Sequence, residues 1–229
     1  MIAGVLNFRK DLNFPKVNKK GEELMKSLLY PGCYYHIYTH AVGDSNLFIS
    51  EENILFFLKR YDYYITPIAR TISYCIMPNH LHLLVCIRPE HELAEIEGFN
   101  RYKCKEQYIS KQFSNLFSSY TQAYNKLYKK RGNLFISNFR RKLVTDVTYL
   151  KNLICYIHYN PVHHELVSEL TDWKYSSFMS LLSDSGKTKI DKAQVYEWYG
   201  NKDKFKEFHF NSTQEYNTLL ESYELSDTQ

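Results

Sequence analysis

Two histidines stand two positions apart in the segment from His80 to Ile87, which reads HLHLLVCI. The run has the composition and alternation of a β-strand, in which successive residues point to opposite faces of a sheet. His80 and His82 therefore project from one face, while the aliphatic residues of the segment anchor the other face. Two imidazoles so placed can chelate one divalent metal ion on a rigid base. Two ordinary surface histidines would show the same pattern, so the spacing alone leaves both interpretations open.

A helix predicted from Val147 to about Tyr159 carries a second group suited to chemistry. Its apolar residues recur with helical spacing and define a buried stripe, formed by Leu150, Leu153, Ile154 and Ile157. Tyr156 and Asn160 lie four residues apart on one flank of that stripe, so a phenol and an amide stand side by side. A phenol can act as a nucleophile once its proton is lost. A packing tyrosine followed by a helix stop at Asn160-Pro161 would explain the same residues.

Positive charge is concentrated in the middle of the chain. Residues 101–142 hold 11 Lys and Arg against the single acid Glu106, whereas residues 163–229 hold 7 Lys against 12 Asp and Glu. This imbalance predicts contact with a polyanion, because each phosphate neutralised by a cation releases condensed counterions. A solvated helix face is the alternative interpretation. The cations that we expect to contact a nucleic-acid backbone are interleaved with aromatic rings; they are Lys126, Lys129, Lys130, Arg131, Arg140, Arg141 and Lys142.

The elements that would position these groups follow one another in the order β, α, β, β, α, β, α. The first strand covers about residues 33–41, and an amphipathic helix follows it to about Tyr64. Residues 71–87 read as a hairpin, and residues 90–131 are helical in character. A short basic strand then precedes the helix that carries Tyr156. This order predicts an α+β fold of ferredoxin-like type, an antiparallel sheet with helices packed on it and a C-terminal helical extension.

Composition excludes several classes of protein. The 229 residues are 44% hydrophobic and 24% charged, and 8 Gly and 6 Pro are too few for a collagen-like or disordered chain. Five cysteines without a CxxC pair argue against a disulfide framework or a cysteine-rich zinc site. No apolar run reaches the roughly 18 residues of a membrane span, and the N-terminus lacks a signal-peptide core. We therefore expect a cytoplasmic protein that does not contact a membrane.

Several segments together resemble the single-tyrosine HUH transposases, a family of insertion-sequence and REP-associated tyrosine transposases. YCIMPNHLHLLVCI (74–87) resembles the signature of this family, and YIHYNPVHHELV (156–167) is similar to its helix ending in Asn-Pro-Val. YYHIYTHAVGDSNLFIS (34–50) looks like its first strand, GNLFISNFRRKLV (132–144) like its basic strand, and WKYSSF (173–178) like a block just beyond. The segments occur in the family's order, and the combination of a paired-histidine signature with a distant Y-x-x-x-N-P is specific.

The resemblance implies a site and a reaction. It implies that His80 and His82, with Asn160 as the polar third ligand, hold a divalent metal ion, and it favours Mg or Mn. It also implies that Tyr156 is the nucleophile that cuts single-stranded or hairpin DNA and forms a 5′-phosphotyrosine, from which the DNA is rejoined. Two departures from the family are visible. The segment between Ile87 and residue 132 is longer than usual, and YTHAVGD replaces the usual arginine-containing turn after the first strand.

We accordingly expect three parts in the chain: an arm over residues 1–30, an HUH transposase-like catalytic domain over residues 31–166, and a helical extension over residues 167–229. Two other functions remain open from the sequence. One is a domesticated nucleic-acid-binding protein that keeps the fold without turnover, and the other is an unrelated metallohydrolase that uses water as its nucleophile. The sequence also leaves open whether the protein is a monomer or a homodimer.

The remaining histidines receive ordinary roles at this point. His36 and His40 share a face of the first strand and could approach the site, but packing is the expected role. His163 and His164 follow the expected helix stop, and we expect them at the surface or near DNA.

Overall fold

Four strands form one antiparallel sheet in the computed structural model, which describes residues 28–136, 139–185 and 188–211. Each neighbouring pair runs antiparallel, and the strand order is β2-β3-β1-β4. The strands are β1 (Tyr34–His40), β2 (Ala69–Ile76), β3 (His80–Ile87) and β4 (Arg140–Leu143). Strands β1 and β3 therefore occupy the centre of the sheet, and β4 forms one edge.

Helices connect and follow these strands. They are α1 (Glu51–Tyr64), α2 (Glu90–Leu93), α3 (Lys105–Tyr128), α4 (Val147–His163), α5 (Phe178–Leu182), α6 (Lys192–Tyr199) and α7 (Lys202–Asn211), with 3-10 turns at Phe99–Arg101 and Leu170–Asp172. The succession β1-α1-β2-β3-α3-β4 with this strand order is the ferredoxin-like arrangement. The predicted α+β fold, an antiparallel sheet with packed helices, is confirmed. No helix among the described residues has the length and apolarity that a membrane span requires.

Helices α1 and α3 cover one face of the sheet. They pack against the side chains of β3 that alternate with the histidines, namely Leu81, Leu83, Val85 and Ile87. Phe57 of α1 meets Tyr120 of α3 edge to face, with ring centroids 5.4 Å apart. The Tyr120 hydroxyl donates a hydrogen bond of 2.6 Å to the main-chain oxygen of Leu47. Burying this much aromatic and aliphatic surface fixes the face of β3 on which the histidines must lie.

Helix α4 covers the other face, and the C-terminal helices pack around it. Its residues from Leu153 to Pro161 are all buried. The Tyr159 hydroxyl donates to the main-chain oxygen of His209 at 2.7 Å, and the imidazoles of His158 and His209 are joined by a 2.9 Å hydrogen bond. Helix α7 therefore holds α4 from the side away from the sheet.

Two local predictions were wrong. The helical stretch expected over residues 90–131 is interrupted: α2 ends at Leu93, Gly98 takes a left-handed backbone conformation (φ 86°), and α3 begins only at Lys105. The helix stop expected at Asn160-Pro161 is also wrong, since α4 continues through Pro161 to His163. Packing on both sides of α4 outweighs the missing N–H of the proline ring. Residues 1–27 of the expected arm, and residues 212–229 of the extension, lie outside the described residues.

Candidate active site

Strand β3 places His80 and His82 on the face of the sheet that α4 covers. The strand alternates as expected, and the two rings lie at 88° to each other with centroids 5.3 Å apart. Both side chains are almost completely buried, at 2% and 3% exposure. The prediction that the two imidazoles share one face is confirmed by this geometry. A pair of surface histidines, the alternative interpretation, is excluded by their burial.

The orientation of each imidazole is set by a hydrogen bond to its Nδ1 atom. Nδ1 of His82 lies 2.9 Å from Nε2 of His36, and Nδ1 of His80 lies 2.7 Å from the side-chain oxygen of Asn79. Because the Asn79 oxygen only accepts, Nδ1 of His80 carries the proton and its lone pair is on Nε2. When Nδ1 of His82 donates to His36, the lone pair of His82 is likewise on Nε2. These contacts prepare both rings to bind a ligand through Nε2.

Asn160 brings an amide oxygen to the same place. Its side-chain nitrogen donates a 2.8 Å hydrogen bond to the main-chain oxygen of Tyr156, one turn earlier in α4. The amide of Asn160 is close enough to His80 to favour the charged form of that imidazole. The geometry nevertheless leaves Nε2 of His80 and Oδ1 of Asn160 buried and without a hydrogen-bond partner among the described residues. Each buried polar atom left in this way costs about 1–3 kcal/mol unless a ligand satisfies it.

The phenol of Tyr156 lies against the histidines. Its ring meets the ring of His82 edge to face, with centroids 5.5 Å apart at 90°, and the ring of His36 at 6.2 Å. The side chain is 6% exposed. Tyr156 and Asn160 extend from successive turns of α4, so the helix delivers both residues to the face of β3 that carries the histidine pair. The structure thus brings together the four residues that the sequence singled out.

Burial keeps the imidazoles of this site uncharged. Desolvation lowers the pKa of His80 to about 3, and the neighbouring His40 and His164 contribute to this decrease. Desolvation also lowers the pKa of His82 well below its usual value, and the neighbouring His36 contributes to this decrease. Removing an imidazolium from water is unfavourable, so both rings are neutral at pH 7. The neutral ring is the form that binds a metal ion.

The residues present fit a divalent metal ion. Two imidazole nitrogens and one amide oxygen offer three ligands, two of which are the unsatisfied atoms of His80 and Asn160. Within residues 28–136, 139–185 and 188–211, no group of three or more His, Cys, Asp or Glu side chains comes together as a metal site. Any ion held here would therefore rely on the amide oxygen of Asn160 as its third protein ligand, which leaves further positions for substrate oxygens.

The seven basic residues predicted to contact DNA occupy different surfaces. Arg140 and Lys142 of β4 lie directly across from Tyr38 and His36 of β1, so their side chains share the face of the histidines. Burial lowers the pKa of His36 to about 3, and the positive charge of Lys142 contributes to this decrease. Arg141 projects to the opposite face, and four residues lie at the C-terminal end of α3 or just beyond it: Lys126, Lys129, Lys130 and Arg131.

Three residues of the site were not predicted from the sequence. Packing was the expected role of His36 and approach to the site was the alternative; the structure places His36 in direct contact with His82. Asn79 lies between the two strands of the predicted hairpin and was assigned no role, yet its side chain forms a hydrogen bond with His80. His164 is exposed, as expected, but its ring centroid also lies 4.6 Å from that of His80, because α4 continues past Pro161. The alternation of side chains along β1 and β3 would indicate His36 as a neighbour of His82 only if the register between the two strands were known.

The sheet order, the covering helix and the paired histidines on a central strand together define an HUH fold. A REP-associated tyrosine transposase of Haemophilus influenzae is 31% identical to this chain over 137 residues, which are 58% of this chain and 68% of that protein. The chain therefore belongs to the family of REP-associated tyrosine transposases.

A solved structure of a REP-associated tyrosine transposase bound to a REP hairpin has the same fold. It superposes with a TM-score of 0.51 at 15% sequence identity and covers 70% of this chain and 85% of the other. No family model matches the chain.

Proposed function

We propose that this protein is a metal-dependent endonuclease and strand transferase that cuts and rejoins single-stranded DNA through Tyr156. The observation that carries the proposal is the convergence of two buried, unsatisfied ligand atoms, Nε2 of His80 and Oδ1 of Asn160, beside the Tyr156 ring and the oriented imidazole of His82. A purely structural role for Tyr156 would not explain why potential ligand atoms beside it are buried without hydrogen-bond partners in the described part of the chain. Membership in a transposase family supports the same reaction.

His80, His82 and Asn160 would hold the ion, and Mg or Mn is the expected identity. Such an ion would supply positive charge that stabilises the negative charge developing on the phosphodiester. The protein contributes the positions of the ligands: His36 and Asn79 fix the two rings, and the main-chain oxygen of Tyr156 fixes the amide. Because the Asn160 amide donates a hydrogen bond to the main-chain oxygen of Tyr156, the same turn of α4 positions the third ligand and the nucleophile.

Tyr156 supplies the nucleophile. Its phenolic oxygen loses its proton to water and attacks the phosphorus atom, while the bond from phosphorus to the 3′ oxygen breaks and that oxygen takes up a proton. The products are a 5′-phosphotyrosine and a free 3′-hydroxyl. In the reverse sense, a 3′-hydroxyl attacks the phosphotyrosine and the phenol leaves. The covalent bond retains the energy of the broken diester, so rejoining requires no nucleoside triphosphate.

Single-stranded or hairpin DNA is the proposed substrate. The histidine face adjoins Arg140 and Lys142, which provide positive charge for a phosphate backbone beside the nucleophile. Attack in a buried site requires a flexible strand, and the phosphodiesters of a regular duplex are less able to enter it. The related solved protein is bound to a REP hairpin, and a hairpin with single-stranded flanks is therefore the first substrate to test.

The test is the formation of a covalent adduct. End-labelled hairpins with single-stranded flanks are incubated with the protein and Mg or Mn, and the products are separated in denaturant. We expect a labelled adduct that requires the metal, is absent in Tyr156→Phe and persists in Tyr149→Phe, a phenol on the same helix. Hairpin binding without an adduct would contradict the proposal and favour the domesticated DNA-binding protein. Cleavage by Tyr156→Phe would contradict it too and favour a metallohydrolase that uses water.

A further inference from the structure

A cavity of about 370 Å3 lies on the opposite face of the sheet from the histidines. It is formed between α3 and the chain just before β4. Thr39 of β1 contributes to its lining, and Thr39 points away from the face of its neighbours Tyr38 and His40. No residue of the candidate active site lines it. The cavity is therefore separate from the site described above, although both adjoin the β1–β4 edge of the sheet.

The lining of this cavity combines aromatic rings with uncharged polar groups. Buried rings are supplied by Phe117, Phe135 and Phe139, and the first of these lies 4.9 Å from the second and 5.5 Å from the third, centroid to centroid. The exposed polar rim includes Ser114, Ser118 and Gln122. Aromatic surface offers stacking for a nucleobase, and hydroxyl and amide groups offer hydrogen bonds to its edge. The volume is within the lower range of small-ligand pockets, as suits one nucleotide unit.

Strand β4 connects this cavity to the active site with positive charge on both faces. Arg140 and Lys142 lie on the histidine face. Arg141 lies on the cavity face, where its guanidinium is 4.3 Å above the ring of Phe139 and donates a 3.1 Å hydrogen bond to Ser110 of α3. Phe139 is itself a cavity residue. A phosphate backbone that crosses the short edge strand β4 would meet a cation on each side of it.

We propose that the cavity binds one base of a single DNA strand that crosses the β4 edge from the active site. This inference rests on the proposed function, since it takes single-stranded DNA as the substrate. We assign a nucleic acid as the ligand because residues 101–142, which include α3 and β4, hold 11 basic residues and one acid. The aromatic lining and the volume of the cavity are suited to one base.

The test measures binding, so that it does not depend on cleavage. Fluorescence anisotropy is recorded with the Tyr156→Phe protein and a set of hairpin strands, each with one abasic position in its single-stranded flank. We expect one position at which loss of the base weakens binding by roughly 5- to 150-fold, the range for stacking of one base on an aromatic surface. All other flank positions should change affinity less.

Filling the cavity should remove that effect. Ser118→Trp places a large ring at the rim, and the critical position should then become as tolerant of base loss as its neighbours. Ser114→Trp repeats the test from another point of the rim. Gln107→Trp is the matched control, because it is exposed on the same helix and does not line the cavity. Thermal unfolding of each variant shows that it is folded before its binding is compared.

The outcomes separate the two proposals. A flank without any critical position, or a critical position that both rim variants leave unchanged, would overturn the base-binding cavity even if the adduct forms. If no adduct forms but Ser118→Trp abolishes a critical position, the base-binding cavity is supported and the proposed cleavage is overturned. More than tenfold tighter binding of the same sequence as RNA would overturn the assignment to DNA.

Discussion

Nε2 of His36 on β1 lies 2.9 Å from Nδ1 of His82 on β3, and this contact joins two strands 46 residues apart in the chain. His36 cannot reach the proposed ion through the same nitrogen, so its role is to hold the ring of His82. Burial keeps His36 neutral by lowering its pKa to about 3. A neutral His36 accepts the proton of Nδ1 and leaves Nε2 of His82 available as a ligand.

His36→Ala should therefore weaken binding of Mn by about 10- to 100-fold, the usual effect of removing a residue that orients a metal-binding histidine. Calorimetric titration of Mn measures the change. His91→Ala is the control, because His91 is an exposed histidine of α2. Equal affinities in wild type and His36→Ala would show that the 2.9 Å hydrogen bond does not prepare His82 for a ligand.

His80→Ala and His82→Ala should each abolish metal-dependent stabilisation. A ligand that binds only the folded state, present at a concentration 100 times its dissociation constant, raises the free energy of unfolding by about 2.7 kcal/mol. One remaining imidazole with an amide oxygen is too weak a site to give this effect. Denaturant unfolding with Mn and with a chelator measures the difference for each protein. Full stabilisation of either variant by Mn would place the ion elsewhere.

Stability should fall in acid partly because of His209. Burial lowers the pKa of His209 to about 4, whereas the unfolded imidazole titrates near 6.5. The unfolded state therefore binds a proton first as pH falls below 6.5, and the stabilisation present above that pH is lost down to about pH 4. The difference between these two pKa values corresponds to about 3 kcal/mol for this one group. We expect the free energy of unfolding of His209→Gln to depend less on pH over this range.

Urea unfolding at pH 7 and pH 5 measures this dependence. The wild type should lose more stability than His209→Gln between the two pH values, by about 1.4 kcal/mol for each pH unit within the window. His91→Gln again provides a control at an exposed position. An identical pH dependence in wild type and His209→Gln would mean that His209 is not buried as a neutral imidazole against α4.

The cations of β4 on the histidine face should contact phosphates. Replacing Arg140 and Lys142 by Gln should weaken binding of every single-stranded sequence to a similar extent. The slope of log affinity against log salt should fall by about 1.4, or roughly 0.7 for each phosphate that is no longer neutralised. The matched double variant, Lys204→Gln with Lys206→Gln on α7, should leave the slope unchanged. Equal slopes for the two double variants would show that β4 is a solvated edge.

The sequence predicted the histidine pair because strand parity is a local property. Alternation along β3 is enough to place His80 and His82 on one face, and four aliphatic residues are enough to bury the other. In the same way, helical spacing placed Tyr156 and Asn160 together. The order of elements then indicated the ferredoxin-like sheet, which the structure confirms.

The features that escaped prediction depend on contacts between distant segments. The role of His36 requires the register of β1 against β3, and the approach of His164 requires α4 to continue through Pro161. That continuation depends on burial of α4 between the sheet and α7, which no local pattern reveals. The identification of Arg140 and Lys142 as the cations that share the face of the histidines likewise requires the register of β4 against β1.

The central claim is that Tyr156 becomes covalently attached to DNA, and peptide mapping of the adduct tests it most directly. After cleavage in Mg or Mn, the protein is digested with nuclease and trypsin, and the peptide over residues 152–174, bounded by lysines, is fragmented. This peptide contains Tyr159 as well, so fragmentation must separate the two phenols. We predict a nucleotide phosphate on Tyr156. A nucleotide on Tyr159 or on any residue outside this peptide would contradict the account.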